Sequence, residues 1–84
     1  MNYSNEVFGA NLRRIRRAAD VTQAELAEMT GIDGSYIARL ESGSNTPGFD
    51  KVCTLAAVLD CSIDELAGMT AHQEPAKATA GSVA

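Results

Sequence analysis

The stretch Val21-Thr22-Gln23-Ala24-Glu25-Leu26-Ala27-Glu28-Met29-Thr30-Gly31-Ile32-Asp33-Gly34-Ser35-Tyr36-Ile37-Ala38-Arg39-Leu40-Glu41-Ser42-Gly43 decides the fold. Thr22 and Glu25 stand at capping-box spacing, with Val21 and Leu26 placed to staple across the box. A helix is therefore predicted to start at Gln23, run about two turns through Met29 and stop at Gly31, which takes left-handed backbone readily. Asp33 is the next N-cap, with Ile32 and Ile37 as its staple pair. The helix it opens has Ile37, Leu40 and Glu41 on its inner face, leaving Gly34, Ser35, Ala38, Arg39 and Ser42 outward. Two capped helices too short to stand alone, joined by a glycine turn, make a helix-turn-helix.

Working outward, Phe8, Leu12, Ile15 and Ala19 recur at helical spacing, with Glu6, Arg13 and Arg17 on the opposite side. This is the first helix. Ser42 to Thr46 is a loop by composition. Pro47 is expected at the first position of a fourth helix after a Thr46 cap, with Phe49, Val52, Cys53, Ala56 and Leu59 as its inward stripe. Ser62 and Glu65 form a second capping box, stapled by Cys61 and Leu66, and open a short fifth helix ending near Gly68. The expectation is an all-α, compact five-helix bundle over residues 4–68. Residues 70–84 show no apolar periodicity and read as a flexible tail.

Eighty-four residues make one domain. The dominance of Ala, Leu, Glu, Arg and Gln with few β-branched runs fits helices. The balance is 7 basic to 11 acidic residues, net −4, which argues on its face against a nucleic-acid binder. The average hides an asymmetry: residues 1–20 carry Arg13, Arg14, Arg16 and Arg17 against Glu6 and Asp20, whereas acids dominate from 21 to 70. Phosphates sense local charge, because screening acts over about 8 Å.

No run approaches the roughly 20 apolar residues of a membrane span, and no basic-then-apolar leader opens the chain, so the cytoplasm is the expected compartment. Cys53 and Cys61 read as buried thiols rather than a disulfide or zinc pair. No nucleophile pairs with a base, no glycine-rich loop follows a strand, and His72 has no partner at ligand spacing. No catalytic residue, metal or cofactor is expected. Two classes remain, a DNA-reading protein and an antitoxin-like or regulatory module that meets a protein partner through its acidic helices.

In the DNA-reading form of the motif, the second helix enters the major groove and the start of the first directs free amides at a phosphate. Gln23 suits that role through its backbone and side-chain N–H groups. The runs Leu12-Arg13-Arg14-Ile15-Arg16, Thr22-Gln23-Ala24-Glu25-Leu26-Ala27, Gly31, Tyr36 to Gly43, Pro47 and Ser62-Ile63-Asp64-Glu65-Leu66 resemble the phage-repressor and Cro type of helix-turn-helix regulator. The resemblance covers about residues 8–68. It implies a lambda-repressor-like DNA-binding domain, usually a dimeric regulator on a palindromic double-stranded DNA operator. Small repressors, restriction–modification controller proteins and some antitoxins share this build.

Carried over by position, the resemblance puts the phosphate contact on Gln23, with Thr22 as cap, and base reading on Gly34, Ser35 and Arg39. The helical spacing independently turns these three outward. Arg39 alone has the reach for a bidentate contact to guanine O6 and N7. Tyr36 at the edge, and Ser44, Asn45 and Thr46 in the loop, are expected to meet backbone. Arg13, Arg14, Arg16 and Arg17 are further candidate phosphate contacts, of which Arg13, Arg14 and Arg17 are equally readable as a solvated helix face.

The resemblance also implies a structural ion pair between Arg16 and Glu41. Gly34 and Ser35 depart from the Gln, Arg or Asn of many relatives, and Glu25, Glu28 and Asp33 add negative charge nearby. A shallow salt slope and reliance on dimerisation are therefore expected. Leu55, Val58, Leu66 and Met69 look like surplus apolar surface and are the expected homodimer patch.

Overall fold

The computed structural model describes residues 4–68. Met69 and the segment expected to be a tail lie outside the described residues. Five helices follow in order: α1 Asn5–Ala18, α2 Gln23–Thr30, α3 Gly34–Ser42, α4 Phe49–Leu59 and α5 Ile63–Ala67. None is long and apolar enough to cross a membrane.

Local chemistry sets most boundaries. Ser4 caps α1 by accepting from the Val7 amide, both capping boxes form, and Gly31, Gly43 and Gly68 end α2, α3 and α5 in left-handed backbone. Phe8, Leu12, Leu26, Ile37, Leu40, Leu55 and Leu66 are fully buried, so all five helices contribute to one core. The inner row of α1 is Phe8, Gly9, Leu12 and Arg16. Ala19, expected on that row, is exposed at the C-cap.

Gly9 sets how closely α1 approaches α3. A Cβ there would lie 2.4 Å from the Leu40 carbonyl oxygen and 2.6 Å from that of Glu41. Any larger residue would push the helices apart, because backbone cannot yield as a side-chain end can.

The start of α4 corrects the sequence reading. Thr46 does not cap the helix; its hydroxyl instead accepts from Asn5 Nδ2 on α1 at 3.0 Å. The helix begins two residues after Pro47, with Gly48 at the N-cap and no side-chain cap bond. Phe49, expected inward, is 73% exposed at the helix mouth. The buried row is instead Val52, Leu55, Ala56 and Leu59, a plain i, i+3, i+4, i+7 stripe.

That register also takes Leu55 and Leu66 out of the expected dimer patch, whose Met69 lies outside the described residues. Leu55 and Leu66 are both fully buried, and Val58 is half-buried against the core. Leu66 is the buried anchor of α5, and its carbonyl accepts from Asn11 Nδ2 at 3.3 Å. Cys53 and Cys61, expected buried, are half-buried free thiols.

Candidate nucleic-acid interface

The α2–turn–α3 unit is tied at its bend by Thr30, which the sequence reading missed. Its hydroxyl donates to the Leu26 carbonyl at 2.8 Å and accepts from the Ile32 amide at 3.1 Å. Gly31 turns the chain at φ 74°, Ile32 drops into the core, and Asp33 caps α3 by accepting from the Ser35 amide at 3.1 Å. A threonine ending a helix just before a glycine was the available signal.

Ile37, Leu40 and Glu41 are the buried residues of α3. Ser35, Arg39 and Ser42 are exposed, Gly34 and Ala38 are half-buried, and Tyr36 is half-buried against the core. The inward–outward division therefore follows the helical period.

On the inner face, Arg16 Nε donates to Glu41 Oε2 at 2.6 Å and Nη2 donates to Oε1 at 3.1 Å, while Nη1 donates to the Val21 carbonyl at 2.8 Å. The side chains are only 9% and 2% exposed. Hydrogen bonding to Glu41 raises the Arg16 pKa above its ordinary value, so the guanidinium stays charged. This pair links α1 to α3 and corrects the reading of Arg16 as a phosphate candidate, since every guanidinium nitrogen already has an acceptor. Gln23 joins the pair, its Nε2 donating to Glu41 Oε1 at 3.0 Å. The Gln23 side chain is thus engaged inward.

At the start of α2, Arg17, Thr22, Gln23 and Ala24 help line a shallow groove. Helix geometry leaves the Gln23 and Ala24 amides without intrahelical acceptors, whereas Thr22 N–H is taken by Glu25 Oε1 at 2.8 Å. A second groove between α1 and α3 is lined by Arg13, Arg14 and Arg17 together with Glu6, Glu41 and Ser42. Arg13 is half-exposed, 3.7 Å from Glu41, and Arg14 donates to Asn11 Oδ1 at 3.2 Å.

The outer face carries a second polar cluster. Ser35 Oγ donates to Asp33 Oδ2 and accepts from Arg39 Nη1 at 3.4 Å. Arg39 lies 6.0 Å from the Tyr36 ring centroid. With the Asn45 amide turned so that both its atoms are satisfied, Oδ1 accepts from Arg39 Nε at 3.2 Å and Nδ2 donates to the Ser44 carbonyl at 3.1 Å. Ser44 also meets the Ser42 hydroxyl at 2.8 Å.

A helix-turn-helix family profile, HTH_3, matches residues 12–66. The chain is 38% identical over 69 residues to the uncharacterized HTH-type transcriptional regulator YobD of Bacillus subtilis, covering 82% of this chain and 62% of that protein. It therefore spans less than two thirds of YobD. The restriction–modification controller protein C.AhdI of Aeromonas hydrophila superposes with a TM-score of 0.71 at 34% identity, over 74% of this chain and 94% of that one. The P22 c2 repressor, solved with a synthetic operator, superposes at 0.70 with 27% identity, over 75% and 96%. With the profile covering most of the sequence, the chain belongs to the HTH_3 helix-turn-helix family of transcriptional regulators.

Proposed function

We propose that residues 4–68 form a DNA-binding domain that reads double-stranded DNA as a small cytoplasmic regulator, with α3 in the major groove of a palindromic operator. The observation that carries this reading is the exposed Arg39 on the outward face of α3, a helix whose inner face is fixed by Ile37, Leu40 and the Glu41 ion pair. Arg39 takes a guanine. Gly34 and Ser35 lie beside it at the open start of the helix, where a Cβ on Gly34 would meet only Ala27 Cβ, at 3.8 Å.

The Gln23 and Ala24 amides receive one phosphate, with Thr22 holding the helix end. Tyr36, Ser44 and Thr46 flank the backbone path, whereas Asn45 turns its amide toward Arg39 and Ser44, and Arg13, Arg14 and Arg17 remain as further cations. A single short helix reads few base pairs, so we assign operator binding to a homodimer with recognition helices about 34 Å apart. The C.AhdI and P22 c2 likenesses support the regulator reading.

Selection of bound duplexes from a random pool tests it, followed by polarisation titrations at two salt concentrations. The expected result is a pair of half-sites, each with a guanine whose discrimination falls by about 1 to 3 kcal/mol in Arg39→Ala. No enrichment at low salt would reject this function in favour of a protein-binding module.

A further inference from the structure

We infer that Asn45 and Ser35 are positioning residues for Arg39, fixing which edge of its guanidinium meets a base; this deepens the DNA-reading proposal and rests on it. A guanidinium offers two edges for a bidentate contact, one formed by Nε and an Nη, the other by the two terminal nitrogens. Here Nε–H is taken by Asn45 Oδ1 at 3.2 Å, and Nη1 gives one hydrogen to Ser35 Oγ at 3.4 Å. The Nε–Nη2 edge is thereby closed, which leaves the terminal Nη1–Nη2 edge to meet guanine O6 and N7 end-on.

The two anchors come from opposite directions. Ser35 lies one turn back on α3, and its hydroxyl is itself fixed because it donates to Asp33. Asn45 reaches in from the loop after α3, with its Nδ2 tied to the Ser44 carbonyl. Backbone holds that loop to the same residue, since the Ser44 amide donates to the Arg39 carbonyl at 2.9 Å. The Tyr36 ring at 6.0 Å flanks the guanidinium. A long side chain that would otherwise sample many rotamers is thereby ordered before DNA arrives, lowering the entropy lost on binding.

The role differs from that of a base reader or a phosphate contact. Ser35 spends its hydroxyl on Asp33 and Arg39, and Asn45 spends both amide atoms on Arg39 and Ser44. Both act on specificity through Arg39.

The test uses the duplex selected by the wild-type chain and its single-base variants at the guanine position. Asn45→Ala is expected to reduce the preference for guanine about five-fold, the effect of a typical hydrogen bond, while leaving non-specific affinity and the salt slope unchanged. Asn45→Asp keeps an acceptor for Nε although it loses the donor to the Ser44 carbonyl, so it retains more of the guanine preference than Asn45→Ala while weakening all duplexes alike. In an Arg39→Ala background, Asn45→Ala has no further effect on base preference.

Equal weakening of cognate and non-specific duplexes by Asn45→Ala, with a change in salt slope, would make Asn45 a phosphate contact and overturn the positioning role alone. A pool that yields no enriched sequence overturns both readings. In the free protein, the Arg39 Nε–H resonance should exchange with water more slowly than that of exposed Arg17, and lose this protection in Asn45→Ala. Equal exchange rates in the wild type would overturn the tether whatever the DNA result.

Discussion

Helix α3 carries an arginine cluster on each face, and the two clusters use similar chemistry to opposite ends. On the inside, Arg16, Glu41 and Gln23 lock α3 to α1 and to the start of α2, with Glu41 nearly sealed from water. On the outside, Asp33, Ser35, Arg39 and Asn45 form a chain of contacts in water. Burial separates them. An unmade bond in the interior costs a full desolvation penalty, whereas at the surface water replaces it and only orientation is lost. The inner cluster holds the helix in place and the outer one aims a side chain.

Breaking the inner cluster should have the largest effect. Glu41→Ala leaves the buried Arg16 charge without its carboxylate, and a loss of about 3 to 5 kcal/mol is expected in urea unfolding. Replacing both partners by apolar residues, as in Arg16→Met with Glu41→Leu, should recover much of that loss. A single-variant loss below about 1 kcal/mol would show that water reaches the pair. Gly9→Ala ranks next, at about 1 to 3 kcal/mol, because the added methyl meets the Leu40 and Glu41 carbonyls. Unchanged stability in that variant would mean α1 and α3 can separate freely.

Arg39→Ala sharpens the contrast from the other side. Exposed and held only by screened contacts, Arg39 should change stability by no more than about 0.5 kcal/mol. Its removal should nevertheless abolish guanine preference in the titrations above. An unfolding midpoint shifted as far as that of Glu41→Ala would erase the distinction between the two faces.

What was legible in the sequence is what acts within a few residues. Thr22 with Glu25, Ser62 with Glu65, and Gly31 after α2 fix helix ends by contacts three or four positions apart, and all appear as expected. The α3 face division was equally readable. Misreadings arose where a distant residue intervened. Thr46 had the right chemistry for a cap, yet its hydroxyl meets Asn5, 41 positions away, while α4 starts after Gly48 and leaves Phe49 exposed. Leu55 and Leu66 looked spare until α1, α4 and α5 were packed together.

Gly9 shows its purpose only when the Leu40 and Glu41 carbonyls are placed against it. Arg16 was partly readable, since Phe8, Leu12 and Arg16 repeat every four residues along the inner row of α1. An arginine on an apolar row asks for a buried acceptor, and the resemblance had already named Glu41. The Asn45 contact to Arg39 had no such signal, because loop and helix meet there only after Gly43 has turned the chain.

The smallest expected effect belongs to Asp33, the acidic end of the outer cluster, and it appears as a pH dependence. The Ser35 hydroxyl, chiefly, holds the Asp33 carboxyl below its ordinary value; desolvation opposes it, and the Ser35 and Tyr36 amides and the Arg39 charge add smaller lowering effects. A carboxyl with a depressed folded pKa stabilises the fold fully above its unfolded pKa, near 3.9. That contribution is lost as pH falls through the lower folded value. Asp33→Asn keeps a capping oxygen but loses the charge, so the variant isolates this contribution from Glu6, whose pKa is also lowered, chiefly by a backbone hydrogen bond and by Ser4. The urea midpoints of wild type and variant should differ by a constant amount from pH 5 to 7 and converge below about pH 4. Adding Arg39→Ala should narrow the neutral-pH gap, because one attraction on the carboxylate is gone. A gap that persists undiminished at pH 2.5 would show that Asp33 acts through shape alone and that no charge links the cap of α3 to the arginine it helps to aim.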